Sequence, residues 1–125
     1  MVIMEKYIEV ILNLLPLLDT IGEGILYSKK QIQELRYEEA KELLEDMVTG
    51  IVSIEDAIQP MLQYLPQNKI VALETKLKDD ISKVVSSYEN GKEVGLNKFI
   101  EERLLVDFNS WKEELERILR PYVVS

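Results

Sequence analysis

Residues 37–65 read YEEAKELLEDMVTGIVSIEDAIQPMLQYL, and an apolar residue recurs at every third or fourth position of this stretch. The recurring residues are Tyr37, Ala40, Leu44, Met47, Ile51, Ile54, Ile58, Met61 and Leu65. They occupy consecutive a and d positions of a heptad repeat, which predicts one long helix with an apolar face. Such a face is buried only when other helices pack against it, so an all-α fold is expected.

Three further segments carry apolar stripes of the same kind. Together with the first stretch they predict four helices, at residues 2–33, 37–65, 69–89 and 92–120. The turns at residues 65–68 and 90–91 contain proline, asparagine and glycine, which commonly end helices. Because the connections are short, successive helices should run antiparallel. The expected fold is an up-down-up-down four-helix bundle that forms one domain over residues 1–125.

Proline and glycine mark the weak points of these helices. Pro16 lies inside the first helix, where a proline removes a backbone hydrogen bond, so we expect a kink or a break there. Gly22 and Gly24 indicate a close contact between helices, with a ligand-binding loop as the alternative. Gly50 could interrupt the second helix, but the heptad phase continues across it and favours one continuous helix.

The amino-acid composition excludes several kinds of chemistry. Histidine and cysteine are both absent from the 125 residues. The chain therefore has no Ser-His-Asp triad, no thiolate nucleophile, no zinc site built on His or Cys, and no Glu-x-x-His di-iron motif. We expect a protein that is not an enzyme, and the sequence identifies no catalytic, cofactor-binding or metal-binding residue.

Charge and the N-terminal sequence limit the possible environments. The net charge of −8 disfavours a nucleic-acid surface. The N-terminus lacks the basic start and small-residue cleavage site of a signal peptide. The apolar run at residues 10–18 is interrupted by Asn13 and Pro16, and it is too short to span a bilayer. We therefore expect a soluble, cytoplasmic protein without membrane contact.

Acidic residues are concentrated in the second predicted helix. Residues 36–65 contain seven acids and two bases, whereas residues 66–91 contain four of each. This face is either solvated or a docking surface for a basic partner. Four of its acids could also contribute oxygen ligands to a divalent cation, namely Glu38, Glu42, Glu45 and Asp46.

The acids only partly match a known enzyme pattern. All-helical nucleotide pyrophosphohydrolases carry paired Glu-x-x-Glu and Glu-x-x-Asp motifs on facing helices. Glu39 and Glu42 supply the first motif, but no acid follows Glu55 or Asp56 at the spacing of the second.

Two groups of apolar residues could take part in binding. Phe99, Phe108 and Trp111 either form core or line a pocket, and Tyr64 is expected to be partly exposed beside a turn. Other apolar residues lie outside the helical stripes, and together they would mark a dimer or partner interface. These are Val52, Val71, Val85, Leu105, Val106, Val123 and Val124.

Two runs carry a resemblance to known proteins. The run Gly-Ile-Val-Ser-Ile-Glu-Asp-Ala-Ile-Gln-Pro begins at Gly50, and Trp-Lys-Glu-Glu-Leu-Glu-Arg-Ile-Leu-Arg-Pro-Tyr begins at Trp111. Both resemble segments of a family of small helical bacterial proteins of unknown function, which implies a bacterial cytoplasmic protein and no activity. In helix layout and acidity the chain is also similar to small export chaperones of the flagellar type.

These observations favour a non-catalytic interaction protein, such as a small adaptor, chaperone or regulatory subunit. The partner would be another protein or a second copy of this chain, bound through a bundle face or groove to which the second or fourth helix contributes. Two alternatives remain open. One is a carboxylate-dependent metal enzyme acting on phosphorylated small molecules, and the other is a self-assembling structural protein.

Overall fold

The computed structural model describes residues 2–124, apart from the side chain of Val2. These residues contain helices and turns but no β-strand, so the all-α prediction is confirmed. The α-helices are α1 (Val2–Glu5), α2 (Ile8–Gln33), α3 (Tyr37–Ile58), α4 (Ile70–Glu89), α5 (Leu96–Phe99) and α6 (Leu105–Leu119). Two 3₁₀ segments, Gln59–Tyr64 and Arg120–Tyr122, follow α3 and α6, and a π-helical segment, Ile100–Leu104, joins α5 to α6.

Neighbouring long helices run antiparallel. Two contacts connect each pair of neighbouring helices. From the first contact to the second, the residue numbers rise along one helix and fall along the other, so the two helices run in opposite directions. The contacts use residues of the helices or of the turns that directly adjoin them. They are Tyr7–Pro60 and Gly24–Met47 between α2 and α3, Tyr37–Tyr88 and Glu55–Lys78 between α3 and α4, Asp80–Arg103 and Lys69–Glu114 between α4 and α6, and Asp19–Lys112 and Lys29–Glu101 between α2 and α6. The predicted up-down-up-down order requires antiparallel neighbours, although the bundle topology as a whole stays a prediction.

The heptad face of residues 37–65 forms part of the core. Its buried members are Ala40, Leu44, Ile51, Ile54, Ile58 and Met61, while Tyr37, Met47 and Leu65 are partly buried against them. Phe108 and Trp111 are fully buried with their ring centroids 6.0 Å apart, so these two aromatic residues are core. Phe99 packs against the core from a partly buried position, and Tyr64 is exposed as expected.

The glycines in α2 and α3 allow these helices to approach closely. A Cβ atom at Gly24 would collide with the side chain of Met47, and one at Gly50 would lie 3.0 Å from Cδ1 of Ile21. Gly22 and Gly24 both lie inside α2, so the segment is helical and the ligand-loop alternative is wrong. Helix α3 is continuous across Gly50, as the heptad phase predicted.

Three expected helix boundaries need correction. Helix α2 does not break at Pro16, and the chain interrupts its first helix at residues 6–7 instead. Helix α3 ends at Ile58 rather than at residue 65, because Pro60 has no N–H to continue the ladder and the chain tightens into 3₁₀ turns. The last helical region begins at Leu96 rather than at residue 92, since Gly95 adopts a left-handed conformation just before it.

Helix α2 is also long and apolar enough, by length and composition, to cross a membrane. It has 26 residues, and the mean hydropathy of its best 18-residue window is 1.4. The expectation that the apolar run is too short considered only residues 10–18, whereas the helix continues to Gln33. A core helix of a soluble protein that is mostly buried meets the same criterion. Helix α2 buries Leu18, Ile21 and Ile25 in the core, but only 28% of its apolar window is buried.

Candidate functional site

An apolar groove separates α3 from α4 along part of their length. The two helices meet at the groove's ends, where the Tyr88 hydroxyl donates to the Tyr37 carbonyl (3.3 Å) and Lys78 pairs with Glu55 (2.7 Å). Between these contacts lies a groove of about 310 Å³. Its lining consists of Lys41, Leu44, Glu45, Val48, Ile81, Val84, Val85, Tyr88, Glu89 and Leu104.

The sequence explains the apolar walls of the groove. On α3, Leu44 and Val48 are four residues apart and therefore lie on one face of the helix. On α4 the same spacing places Ile81 beside Val85. Leu104, from the π-helical segment, is buried and forms the floor. Val85 is about half exposed, which leaves apolar surface open to water inside the groove.

Charged side chains lie at the edges of the groove. Lys41 and Glu45 line it from α3, and Glu89 lines it from α4. Glu38 and Glu42 are exposed on α3 beside this edge, whereas Glu39 and Asp46 lie farther round the helix. The groove therefore combines an apolar interior with a predominantly acidic surround.

Tyr88 closes one end of the groove as a neutral phenol. Burial raises its pKa to about 12, and the negative charges of Glu93 and Glu38 act in the same direction. Since Tyr88 remains protonated at physiological pH, its hydroxyl keeps donating to the Tyr37 carbonyl.

Helix α4 buries two carboxyl groups, the first of which is Glu74, one turn beyond Lys78. The Trp111 indole N–H donates to it over 3.4 Å. Burial raises the pKa of Glu74, and the charge of Glu55 raises it further, whereas the Trp111 hydrogen bond and Lys78 lower it. Glu55 on α3 and Glu74 on α4 are thus close enough for their charges to interact, and Lys78 forms an ion pair with Glu55.

The second buried carboxyl group is Asp80, which is only 1% exposed. Its Oδ1 atom lies 4.0 Å from Nη2 of Arg103, and its Oδ2 atom is buried without a hydrogen-bond partner. The carboxyl group of Asp107 faces it from α6 within hydrogen-bonding reach.

The acids that sequence analysis weighed as metal ligands do not converge. Glu38, Glu42, Glu45 and Asp46 are all exposed on α3, and Glu39 pairs with Arg36. Within residues 2–124, no group of three or more acidic side chains lies close enough to hold a metal ion.

The apolar residues outside the stripes differ in exposure. Val52, Val71, Val85, Val106 and Val124 are exposed, whereas Leu105 and Val123 pack against the core. Of these seven, Val85 alone lines the groove. A second, shallower groove of about 210 Å³ runs between α2 and α3, where Leu17 faces Ser53 and Ala57.

Sequence reasoning missed the buried carboxyl groups, although their spacing carries a signal. Glu74 lies four residues after Ile70 and three before Leu77, and Asp80 lies three residues after Leu77. These acids therefore occupy positions on the apolar stripe of α4, where a charged residue is unusual. Asp107 lies between Leu104 and Trp111 at the same spacings.

Comparison with known proteins identifies one family. Its model is described as a domain of unknown function, DUF8042, and it matches residues 9–114. The match extends from the start of α2 through most of α6 and includes the whole lining of the groove. Comparison with curated proteins gives no match, and neither does comparison with solved structures.

Proposed function

The chain belongs to the DUF8042 family of unknown function, and we propose that it is a non-catalytic interaction module that binds one helix of a partner protein in the α3–α4 groove. The observation that carries the proposal is the groove itself, with its apolar lining and half-exposed Val85. An amphipathic helix laid into an apolar groove is a recurrent mode of protein recognition.

The dimensions of the groove suit a short helical segment. Its α3 wall extends from Lys41 to Val48, which corresponds to about 10 Å at the helical rise of 1.5 Å per residue. This length matches roughly two turns of a bound helix, so the partner would present apolar anchors at positions i, i+3 or i+4, and i+7.

The charge around the groove specifies the partner further. Glu45 and Glu89 stand on opposite walls, and the surrounding face of α3 is rich in exposed acids. We therefore expect lysine or arginine beside the apolar anchors of the partner helix, because complementary rim charges guide association and fix orientation. A cytoplasmic setting belongs to this proposal.

Two valines on α4 allow a matched test. Val85 lines the groove, whereas Val71 is exposed on the same helix outside it. Tagged wild-type protein, Val85→Glu and Val71→Glu would be used to capture proteins from lysate of the native host. Recovered proteins would be quantified by mass spectrometry, and circular dichroism would confirm that helicity is unchanged.

Val85→Glu should reduce recovery of the groove partner at least about tenfold. Burying an unpaired charge in the groove should weaken binding by at least about 1.4 kcal/mol. Val71→Glu should retain wild-type recovery. Equal recovery by both variants would place the binding surface elsewhere. Recovery of this chain alone, with a defined oligomeric mass by light scattering, would instead favour the self-assembling alternative.

A further inference from the structure

Asp80 is a buried carboxyl group that lacks the partners needed to remain charged. It lies on α4 at the α4–α6 contact, where 1% of its surface is exposed and Oδ2 has no hydrogen-bond partner. The nearest cation is the guanidinium group of Arg103, at 4.0 Å from Oδ1, a distance too long for a hydrogen bond. An ionised carboxylate in this position would carry a large desolvation cost.

Asp107 supplies the missing partner only when a proton is present. Its carboxyl group faces Asp80 within hydrogen-bonding reach. Two ionised carboxylates are both acceptors and repel each other, whereas one bound proton turns one of them into a donor. We propose that Asp80 keeps a proton and donates a hydrogen bond to Asp107, that this bond holds α4 against α6, and that loss of the proton as pH rises loosens the floor of the groove.

The charged surroundings of the pair support this assignment. Asp107 faces Asp80 from α6, Arg103 from the π-helical segment, and Lys83 from α4 itself. Burial raises the pKa of Asp80 to about 7, and the hydrogen bond and negative charge of Asp107 raise it in the same direction, while Arg103 and Lys83 lower it. Asp80 therefore binds its proton at acidic pH and releases it near neutral pH.

The pair adjoins the groove through both of its elements. Asp80 precedes Ile81 and lies one turn before Val84, and both of these residues line the groove. Arg103 precedes Leu104, the floor residue, in the π-helical segment. A negative charge on Asp80 would push α4 away from α6. Because Ile81 and Val84 lie on α4, this movement displaces one wall of the groove. The consequence for partner binding rests on the proposed function, whereas the proton site does not.

The first experiment measures thermal stability between pH 5.5 and 8.5. A group whose pKa is higher in the folded than in the unfolded chain stabilises the fold at low pH, and this stabilisation is lost as pH rises through the folded pKa. The wild-type melting temperature should therefore fall by about 5 °C or more across this range. Asp80→Asn should flatten the profile and melt higher than wild type at pH 8.5, because the amide is neutral and donates to Asp107.

Asp46 provides the control, since it is an exposed aspartate on α3 rather than at the α4–α6 contact. Asp46→Asn should keep the wild-type pH profile. Asp107→Asn should reduce the fall in melting temperature without removing it, because Asp80 stays buried and burial is the largest cause of its raised pKa. A wild-type profile in Asp80→Asn would overturn the proton on Asp80, and a wild-type profile in Asp107→Asn would overturn the hydrogen bond to Asp107.

A second readout tests the connection to the groove. Nile red, a neutral apolar dye, should fluoresce at least twofold more strongly with wild type at pH 8.5 than at pH 5.5 as the groove loosens, and Asp80→Asn should abolish this change. An unchanged pH response in Asp80→Asn would overturn the connection. Neither result depends on a partner, so failure of this inference and failure of the Val85 test are distinguishable.

Discussion

Leu35 adopts a backbone conformation that usually requires glycine. Its φ is 60°, and it follows α2 in a Schellman arrangement, in which its N–H donates to the Ile32 carbonyl and the Arg36 N–H donates to the Gln31 carbonyl. The leucine side chain is 73% exposed and therefore gains little from burial. A leucine at this position carries the strain of a left-handed residue without a compensating contact.

Leu35→Gly should therefore stabilise the protein by about 0.5–1 kcal/mol, because glycine adopts this conformation without strain. Urea unfolding followed by circular dichroism would measure the change. Leu26→Gly is the matched control, since Leu26 is also exposed but lies inside α2, where glycine should cost about 1 kcal/mol. A loss of stability in Leu35→Gly would show that the leucine makes a stabilising contact that outweighs the strain.

At the residue scale, sequence could have identified the buried acids but not their surroundings. Glu74 and Asp80 stand on the apolar stripe of α4, which the helical period alone predicts. The approach of Asp107 depends on how α6 packs against α4, and residues 80 and 107 are too far apart in the chain for local spacing to place them.

At the element scale, α2 accommodates a proline in its interior. Pro16 is exposed, and the helix continues on both sides of it. A proline here leaves the carbonyl of Leu12 without its usual helical donor. Pro16→Ala should therefore raise the free energy of unfolding, by about 1–3 kcal/mol, if the core packing of α2 is retained. Differential scanning calorimetry would measure the rise, and a lower melting temperature would show that the contact between α2 and α3 depends on the proline.

Sequence predicted the long elements well because each carries a stripe with the helical period. The face of residues 37–65 buries Leu44, Ile51 and Ile58 as expected. Its end was misplaced because the 3₁₀ turns after Ile58 still bury Met61, so the apolar pattern continues where the α-helix does not. The π-helical segment before α6 likewise keeps Ile100 and Leu104 buried and leaves no mark in the pattern.

At the scale of the whole molecule, the groove results from the spacing of helices rather than from any local motif. Val48 and Val84 look like ordinary flanking and core residues in the sequence. They line a groove because α3 and α4 meet near Tyr88 and near Lys78 and leave an opening between these contacts. Helix spacing depends on the packing of all elements together, so sequence could predict an acidic face of the second helix but not the groove beside it.

The acidic surround of the groove leads to a prediction for the complete complex. If rim charges guide a basic helix, affinity for the captured partner should fall by about tenfold between 0.1 and 1 M salt, as the Debye length shortens from about 10 to about 3 Å. The double variant Glu45→Gln and Glu89→Gln should bind more weakly at 0.1 M salt and lose most of this dependence, because both acids line the groove.

The double variant Glu102→Gln and Glu113→Gln removes the same charge from exposed positions outside the groove and should keep the wild-type dependence. Isothermal titration calorimetry at several salt concentrations would measure both slopes. An affinity that does not change with salt would mean that the groove selects its partner through apolar contacts alone.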